Sequence, residues 1–282
     1  MQTVIEAHRL RRSYGDLTAV DDVDLSISAG TVIGLIGPNG AGKTTMLRAL
    51  LGLTQCEGDL SVLGYSPVTE RDQMMEEVCF IADTAVLPGW MRVNELLDYV
   101  NGTHPRFDRA QAEAFLESTE IAGTRRIGDL SKGMTVQLHL AVVMAIDARV
   151  LILDEPTLGL DILFRKRFYE QLINDYFDGE RTIVVSTHQV EEIQNILTHV
   201  MFMHRGKLIL HESLMDLEER FLELHVLGES VMRAEALPYI GKRNILGGKA
   251  FIFEESVRPE LTGLGEIRVP SVSDLFVAKV GG

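Results

Sequence analysis

The clearest chemical pattern in the sequence is a glycine-rich stretch that ends in lysine and threonine. Residues 37–44 read Gly-Pro-Asn-Gly-Ala-Gly-Lys-Thr, which matches the phosphate-loop pattern G-x-x-x-x-G-K-[ST] in full. Glycines let the backbone curl so that its N–H groups face phosphate oxygens, and a helix start adds positive charge there. The pattern predicts a nucleotide site formed by Gly37, Pro38, Asn39, Gly40, Ala41, Gly42, Lys43, Thr44 and Thr45.

Lys43 and Thr44 have different predicted tasks in this loop. Lys43 should reach the β- and γ-phosphates as a point charge and so assist catalysis, whereas the Thr44 hydroxyl should bind Mg²⁺. The flanking sequence agrees with this interpretation. Val32–Ile36 is apolar throughout and predicts a buried strand, and the apolar spacing in residues 44–53 predicts a helix.

Further polar residues follow two other predicted strands. Val150–Leu153 is apolar, and Asp154 and Glu155 come at its end. Ligands of open α/β sheets bind at the carboxyl edge of the strands. We therefore expect Asp154 to hold Mg²⁺ through water, and Glu155 to orient or deprotonate the attacking water. Residues 182–186 predict another buried strand, which places His188 at the same edge as a third catalytic candidate beside Glu155 and Lys43.

The elements that position these residues change character along the chain. Residues 1–83 show short apolar segments typical of strands, residues 84–132 show the apolar spacing of helices, and residues 133–215 return to strand–helix alternation. In this last part, residues 189–197 predict a helix. Residues 221–282 predict a small α/β appendage, for which packing or dimer support is favoured over regulation.

Composition limits the possible function classes. Of the 282 residues, 46% are hydrophobic and 24% charged, which is ordinary for a globular protein. The formal net charge of −14 argues against nucleic acid as a partner. The sequence has no apolar stretch long enough for a transmembrane helix and no signal-peptide pattern. Two cysteines are too few for a disulfide framework.

Together with "LSKGM" at Leu130–Met134, these motifs resemble the ATP-binding cassette (ABC) ATPases. The motifs follow one another in the family's order over roughly residues 1–215. They are an aromatic residue, the phosphate loop, a strand-end polar residue, the signature "LSKGM", the Asp-Glu strand, a "GLD" turn and a switch histidine. The resemblance implies an α/β P-loop NTPase cassette with a mixed core sheet. It implies a cassette over residues 1–220, with a helical subdomain at about 84–132, and a small C-terminal α/β subdomain over 221–282.

The resemblance also implies roles for further residues. Tyr14 would stack on adenine, Asp161 would lie in the turn that crosses between subunits, and His188 would contact the γ-phosphate. In the family, two cassettes meet head to tail, so that the signature of each faces the phosphate loop of the other. Ser131 and Gly133 would then offer a hydroxyl and a backbone N–H to a nucleotide held by another subunit.

Two departures from the family pattern concern the same site. Asp83 stands where the family usually has Gln, and an ionised carboxylate can only accept hydrogen bonds. Asp83 is nevertheless a predicted member of the Mg²⁺ ligand shell. Lys132 and Met134 replace a Gly and a Gln of the usual signature. Lys132 would either add positive charge near the nucleotide or point to solvent.

The resemblance implies ATP and Mg²⁺ as cofactors, and the ATP-hydrolysing subunit of a transporter whose separate membrane permease moves the substrate, with export favoured. The implied partners are that permease and a second ABC subunit, as a homodimer or heterodimer. The implied location is cytoplasmic, on the inner face of the membrane. Leu87 and Trp90 would either fit a groove of the permease or pack inside the helical subdomain. The alternative is a soluble ABC ATPase in repair, ribosome-associated work or cofactor assembly.

Overall fold

The computed structural model describes residues 2–82 and 87–281. The strands are β1 Thr3–Tyr14, β2 Leu17–Ser28, β3 Val32–Ile36, β4 Glu57–Val62, β5 Val78–Ile81, β6 Val150–Asp154, β7 Thr182–Thr187, β8 His199–His204, β9 Lys207–Ser213, β10 Phe221–Leu227, β11 Gly241–Ile245, β12 Gly248–Glu254 and β13 Glu266–Arg268. The helices are α1 Lys43–Leu50, α2 Arg71–Met75, α3 Val93–Thr103, α4 Arg109–Glu117, α5 Lys132–Met144, α6 Ile162–Gln171, α7 Leu214–Arg220, α8 Ser230–Glu235, α9 Arg258–Leu261 and α10 Val272–Val280.

A six-stranded sheet in the order β5-β6-β7-β3-β8-β9 forms the centre of the molecule. Its strands pair in parallel except for β9, which is antiparallel to β8. Every residue of β3, β6 and β7 is buried, as expected for parallel strands covered on both faces. Asp154 pairs with Ser186, and Ile36 pairs with Thr187, so β3, β6 and β7 end at one edge.

Side-chain alternation divides the core between the two faces of this sheet. Ile33 and Leu35 of β3 pack with apolar residues of α1 and of the antiparallel sheet β2-β1-β4. Val32 and Ile36 face the other way and pack with α3, α4, α5 and α6. Because strand residues alternate between faces, the all-apolar β3 serves both layers at once.

Helices α3, α4 and α5 pack together on one side of the sheet. Asp108 caps α4 by accepting hydrogen bonds from the backbone N–H groups of Ala110 and Gln111. Ser131 caps α5 by accepting from the backbone N–H of Met134 at 3.2 Å. Such caps satisfy N–H groups that have no partner within the helix. The polar residues at the start of "LSKGM" therefore define where α5 begins.

The prediction of an α-helix over residues 189–197 is wrong. This segment forms two 3₁₀ turns, Val190–Glu192 and Gln194–Ile196, closed by bonds between residues three apart. Ile193 between them has a φ of −119°, outside the α-helical range. Val190, Ile193 and Leu197 are still buried in the core. The apolar spacing therefore predicted the buried residues correctly, although the backbone is not an α-helix.

The last part of the chain forms an antiparallel sheet in the order β11-β12-β10-β13. It encloses its own apolar cluster around Phe251 and Phe253. Helix α10 packs instead on the central core, where the Phe276 ring meets Phe202 edge-on at 5.2 Å. Helix α10 therefore joins the last part of the chain to the cassette through packed aromatic side chains as well as through the chain itself.

Candidate nucleotide site

A cavity of about 550 Å³ lies over the loop between β3 and α1. The predicted residues that line it are Tyr14, Pro38, Asn39, Gly40, Ala41, Gly42, Lys43, Thr44, Thr45, Glu155 and His188. Leu17, Ala19 and Leu158 also line it. The structure thus brings together residues from four separate segments that the sequence assigned to one site.

The loop itself depends on glycine at positions where a side chain cannot stand. Gly42 has a φ of +107°, and a Cβ there would lie 2.1 Å from the backbone oxygen of Ala19. A Cβ on Gly37 would lie 2.3 Å from the backbone oxygen of Met203. The loop is therefore pressed against neighbouring backbone on its inner side, which leaves its other side to a ligand.

Lys43 is buried within the loop. Its Nζ donates to the backbone oxygen of Gly37 at 2.7 Å and of Pro38 at 3.4 Å. The same atom lies 3.5 Å from Glu155 Oε1. The ammonium group is thus held at the centre of the loop by groups around it, at the start of α1 where helix geometry also favours an anion.

Glu155 joins the strand edge to the loop. Its Oε2 lies 2.9 Å from His188 Nδ1, while its Oε1 faces Lys43. An ionised carboxylate accepts only, so His188 carries its proton on Nδ1 in this contact. Three predicted catalytic side chains therefore form one connected group.

The backbone at Glu155 is strained. Its φ is +48°, a left-handed value that costs a residue with a side chain about 1–3 kcal/mol. Its N–H donates to the Ser186 backbone oxygen at 3.2 Å and lies 3.1 Å from Ser186 Oγ. This single N–H is shared between the two Ser186 oxygens, and a hydrogen bond of about 1 kcal/mol offsets part of the cost. With this left-handed conformation the chain leaves the strand direction after Asp154, and Glu155 lines the cavity.

Asp154 is buried at the end of β6 and accepts a hydrogen bond from the Ser186 hydroxyl. Ser186 thus binds the carboxylate of Asp154 and the backbone N–H of Glu155. The sequence analysis missed this residue. Its signal was a hydroxyl that directly follows the apolar centre of a buried strand, since buried polar groups need partners.

The donor chemistry fits Mg²⁺. Thr44 and Asp154 supply hard oxygen atoms, which are the ligands this ion prefers. Among residues 2–82 and 87–281, no three His, Cys, Asp or Glu side chains are grouped to hold a metal. Mg²⁺ usually keeps waters and takes the remaining ligands from substrate phosphates, so two protein oxygens suffice. Asp83 lies outside the described residues.

Tyr14 lines the cavity with 45% of its surface exposed. The guanidinium of Arg12 covers its ring at 4.5 Å from the centroid. Hydrogen bonding to Thr54 and to Arg12 lowers the pKa of the Tyr14 hydroxyl. Arg12 is a second residue that the sequence analysis missed, although alternation along β1 puts residues 12 and 14 on one face.

The signature residues lie apart from this cavity. Ser131 and Gly133 do not line it, and neither does Asp161, which caps α6 by accepting from the Phe164 N–H at 2.9 Å. Lys132 lies against the "GLD" turn, because a Cβ on Gly159 would come within 3.5 Å of Lys132 Cε.

Known proteins share this sequence pattern. A family model described as ABC transporter matches residues 20–158. The Nod factor export ATP-binding protein I of Cupriavidus metallidurans is 31% identical over 301 residues, covering 100% of this chain and 98% of that protein. The chain belongs to the ABC transporter ATP-binding family. The ABC transporter ATP-binding protein YtrB of Bacillus subtilis is 22% identical, over 99% of both chains.

Other relatives of this ABC protein are longer. The probable multidrug ABC transporter ATP-binding protein YbhF of Escherichia coli is 32% identical over 214 residues, and the match covers 74% of this chain. The matched part is only 37% of the length of YbhF. The match therefore concerns one cassette-sized part of that protein.

Solved structures agree on the fold. An ATP-binding subunit of an ABC transporter superposes with a TM-score of 0.70 at 24% identity, over 77% of this chain and 92% of that one. An ATP-bound bacterial Atm1-family ABC exporter gives 0.67 at 17% identity, over 77% of this chain and 40% of that one. The predicted family, cassette fold, ATPase class and nucleotide binding are confirmed. The individual residue roles stay predictions.

Proposed function

We propose that this ABC protein hydrolyses ATP to drive export of a substrate through a separate membrane permease. The observation that carries the proposal is the connected group of Lys43, Glu155 and His188 over the phosphate loop. Names of relatives that include "export" and "multidrug" support the direction. Among residues 2–82 and 87–281, no helix is long and apolar enough to cross a membrane. We place the protein on the cytoplasmic face of the membrane, held there by the permease.

Several groups of the cavity, together with Asp154 at the end of β6, have tasks in hydrolysis. The loop N–H groups and Lys43 bind the phosphates, and Tyr14 stacks on the adenine. Glu155 accepts a proton from the attacking water. His188 donates to Glu155 from Nδ1, and it donates to the γ-phosphate from Nε2 when that nitrogen is protonated as well. Thr44 and Asp154 would hold Mg²⁺, which neutralises phosphate charge when bound.

We also propose that each ATP-binding site is completed by residues of a second cassette subunit, which is either a copy of this chain or a related one. The position of Ser131, Gly133 and Asp161 away from the chain's own cavity supports this. Both Ser131 and Asp161 are exposed at helix starts, where N–H groups and the helix dipole suit an anion.

Ser131→Ala tests the role of the signature against its role as a helix cap. Because Ser131 caps α5, the variant should lose about 1 kcal/mol of unfolding free energy. It should also lower ATP turnover, by about 10-fold if one charge-assisted hydrogen bond is lost. Ser213→Ala is the matched control, since Ser213 caps α7 in the same way. Equal turnover in the two variants would exclude the proposed signature contact.

Trp90 is the best candidate for contact with the permease. Its side chain is 73% exposed, whereas Leu87 packs against the central core. The two residues therefore differ, one facing solvent and one facing the helices. Exposed aromatic residues often supply much of the binding energy of an interface.

Trp90→Ala should reduce recovery of the permease when this chain is pulled from detergent-solubilised membranes. Its ATP turnover as an isolated chain should stay within about 2-fold of wild type, since the site is untouched. Met232→Ala is a control, because Met232 is 75% exposed in the C-terminal part. Recovery of the wild-type chain without any multi-span protein would instead favour a soluble ABC ATPase.

A further inference from the structure

Arg165 of α6 makes contacts that connect three separate segments. Its Nε donates to the backbone oxygen of Leu160 at 2.8 Å. Its Nη1 donates to Gln189 Oε1 and Glu192 Oε1, both at 2.6 Å. Only 18% of the Arg165 side chain is exposed. A single guanidinium therefore holds one backbone oxygen and two side chains in a shielded position.

These partners belong to the two loops that flank the nucleotide cavity. Leu160 immediately precedes Asp161 in the "GLD" turn, and Leu158, just before that turn, lines the cavity. Gln189 immediately follows His188, which lines the cavity from the other loop. Arg165 thus lies between the loop that carries His188 and the turn that carries Asp161.

A second residue of α6 holds the start of the same turn. Tyr169, one helical turn after Arg165, places its hydroxyl 3.2 Å from Thr157 Oγ1 in a buried contact. Thr157 lies two residues after Glu155. One face of α6 therefore holds the segment from Glu155 to Asp161 at both ends, and through Arg165 it also holds the His188 loop.

We propose that Arg165 is a positioning residue that links the His188 loop to the Asp161 turn, so that ATP bound at one site affects the second cassette. The inference rests on the proposed function, because it needs an ATP site shared by two cassettes. Arginine suits the task because its planar fork can donate in several fixed directions at once. Lysine would keep the charge near Glu192 but could not hold the Leu160 oxygen and Gln189 in the same geometry.

Displacement of the His188 loop by Arg165→Met should affect chemistry more than binding. We expect the kcat for ATP to fall by about 10- to 100-fold, since small misplacements of reacting groups cost that much. The KM for ATP should stay within about 2-fold, because the phosphate loop is untouched. The Hill coefficient for ATP should fall from above 1 in the wild-type protein to 1. Arg165→Lys should restore the melting temperature that Arg165→Met loses, but it should not restore a Hill coefficient above 1.

Lys166→Met is the matched control, because Lys166 is the next residue of α6, is 76% exposed and lies 3.9 Å from Glu170. It should leave kcat, KM and the Hill coefficient unchanged. All variants are measured as the full chain, by phosphate release over a range of ATP concentrations and by thermal unfolding.

Two results would overturn the inference. One is a wild-type Hill coefficient of 1, which would mean that no coupling exists to be transmitted. The other is an Arg165→Met protein that keeps its Hill coefficient while its melting temperature falls, which would assign Arg165 a purely structural role. Absence of ATP hydrolysis by the wild-type protein is a separate outcome, and it would contradict the proposed function itself.

Discussion

Glu155→Gln should lower ATP turnover by about 10²- to 10⁴-fold, the contribution typical of a general base. ATP binding should survive, because the substitution keeps the size of the side chain and leaves the phosphate loop unchanged. Loss of the negative charge beside Lys43 and His188 also removes repulsion against the phosphates. ATP should therefore stay bound without being cleaved, and a nucleotide-dependent dimer of cassettes should accumulate.

The measurements for Glu155→Gln are phosphate release, equilibrium ATP binding and molecular mass with and without ATP. Glu180→Gln is the control, because Glu180 is exposed before β7, at the opposite end of the strand from His188. It makes the same change of charge far from the cavity and should match wild type. Near-normal turnover in Glu155→Gln would remove Glu155 from the role of base.

Lys43→Met should have the opposite effect on binding. A hydrogen bond to a charged group contributes about 1.5–3 kcal/mol, so its loss should weaken ATP binding by about 10- to 150-fold. Hydrolysis should fall further, since the variant also leaves Glu155 without its nearby positive charge. Equilibrium binding of ATP, measured by titration calorimetry, checks the first part.

Lys207→Met is the matched control for Lys43→Met. Lys207 is 67% exposed at its side chain and faces Asp21 at 3.7 Å, so its loss should change neither binding nor turnover. ATP binding of wild-type strength in Lys43→Met would contradict the assignment of the phosphate loop. Together, the two active-site variants separate binding from chemistry within one cavity.

The phosphate loop and its neighbours could be predicted because their signals are local. The strand β3, the glycine loop and α1 follow one another without a break, and the strands β6 and β7 have apolar centres and are buried throughout. The rule that ligands bind at the carboxyl edge of parallel strands then placed Asp154, Glu155 and His188 together.

Contacts between distant segments could not be predicted in the same way. Arg165 lies among charged residues in "RKR", and nothing in the sequence separates it from Lys166 and Arg167. Its partners Gln189 and Glu192 are 24 and 27 residues away in the chain, and only packing brings them near.

The segment after His188 shows the limit of apolar spacing as a signal. Val190, Ile193 and Leu197 are spaced as in an α-helix and are buried as expected. The backbone nevertheless forms 3₁₀ turns, beginning where the N–H of Gln189 bonds to the Thr187 hydroxyl. Arg165 of α6 donates hydrogen bonds to the side chains of Gln189 and Glu192. These tertiary contacts accompany the 3₁₀ geometry of this segment.

Mg²⁺-dependent phosphate release from ATP by the purified full chain is the most direct test of the central claim. We predict release that stops when the metal is removed with EDTA and resumes when Mg²⁺ is added back. We also predict that release is lost in Glu155→Gln while ATP stays bound. A wild-type chain that binds ATP but releases phosphate no faster than Glu155→Gln would contradict the claim that this cavity hydrolyses ATP.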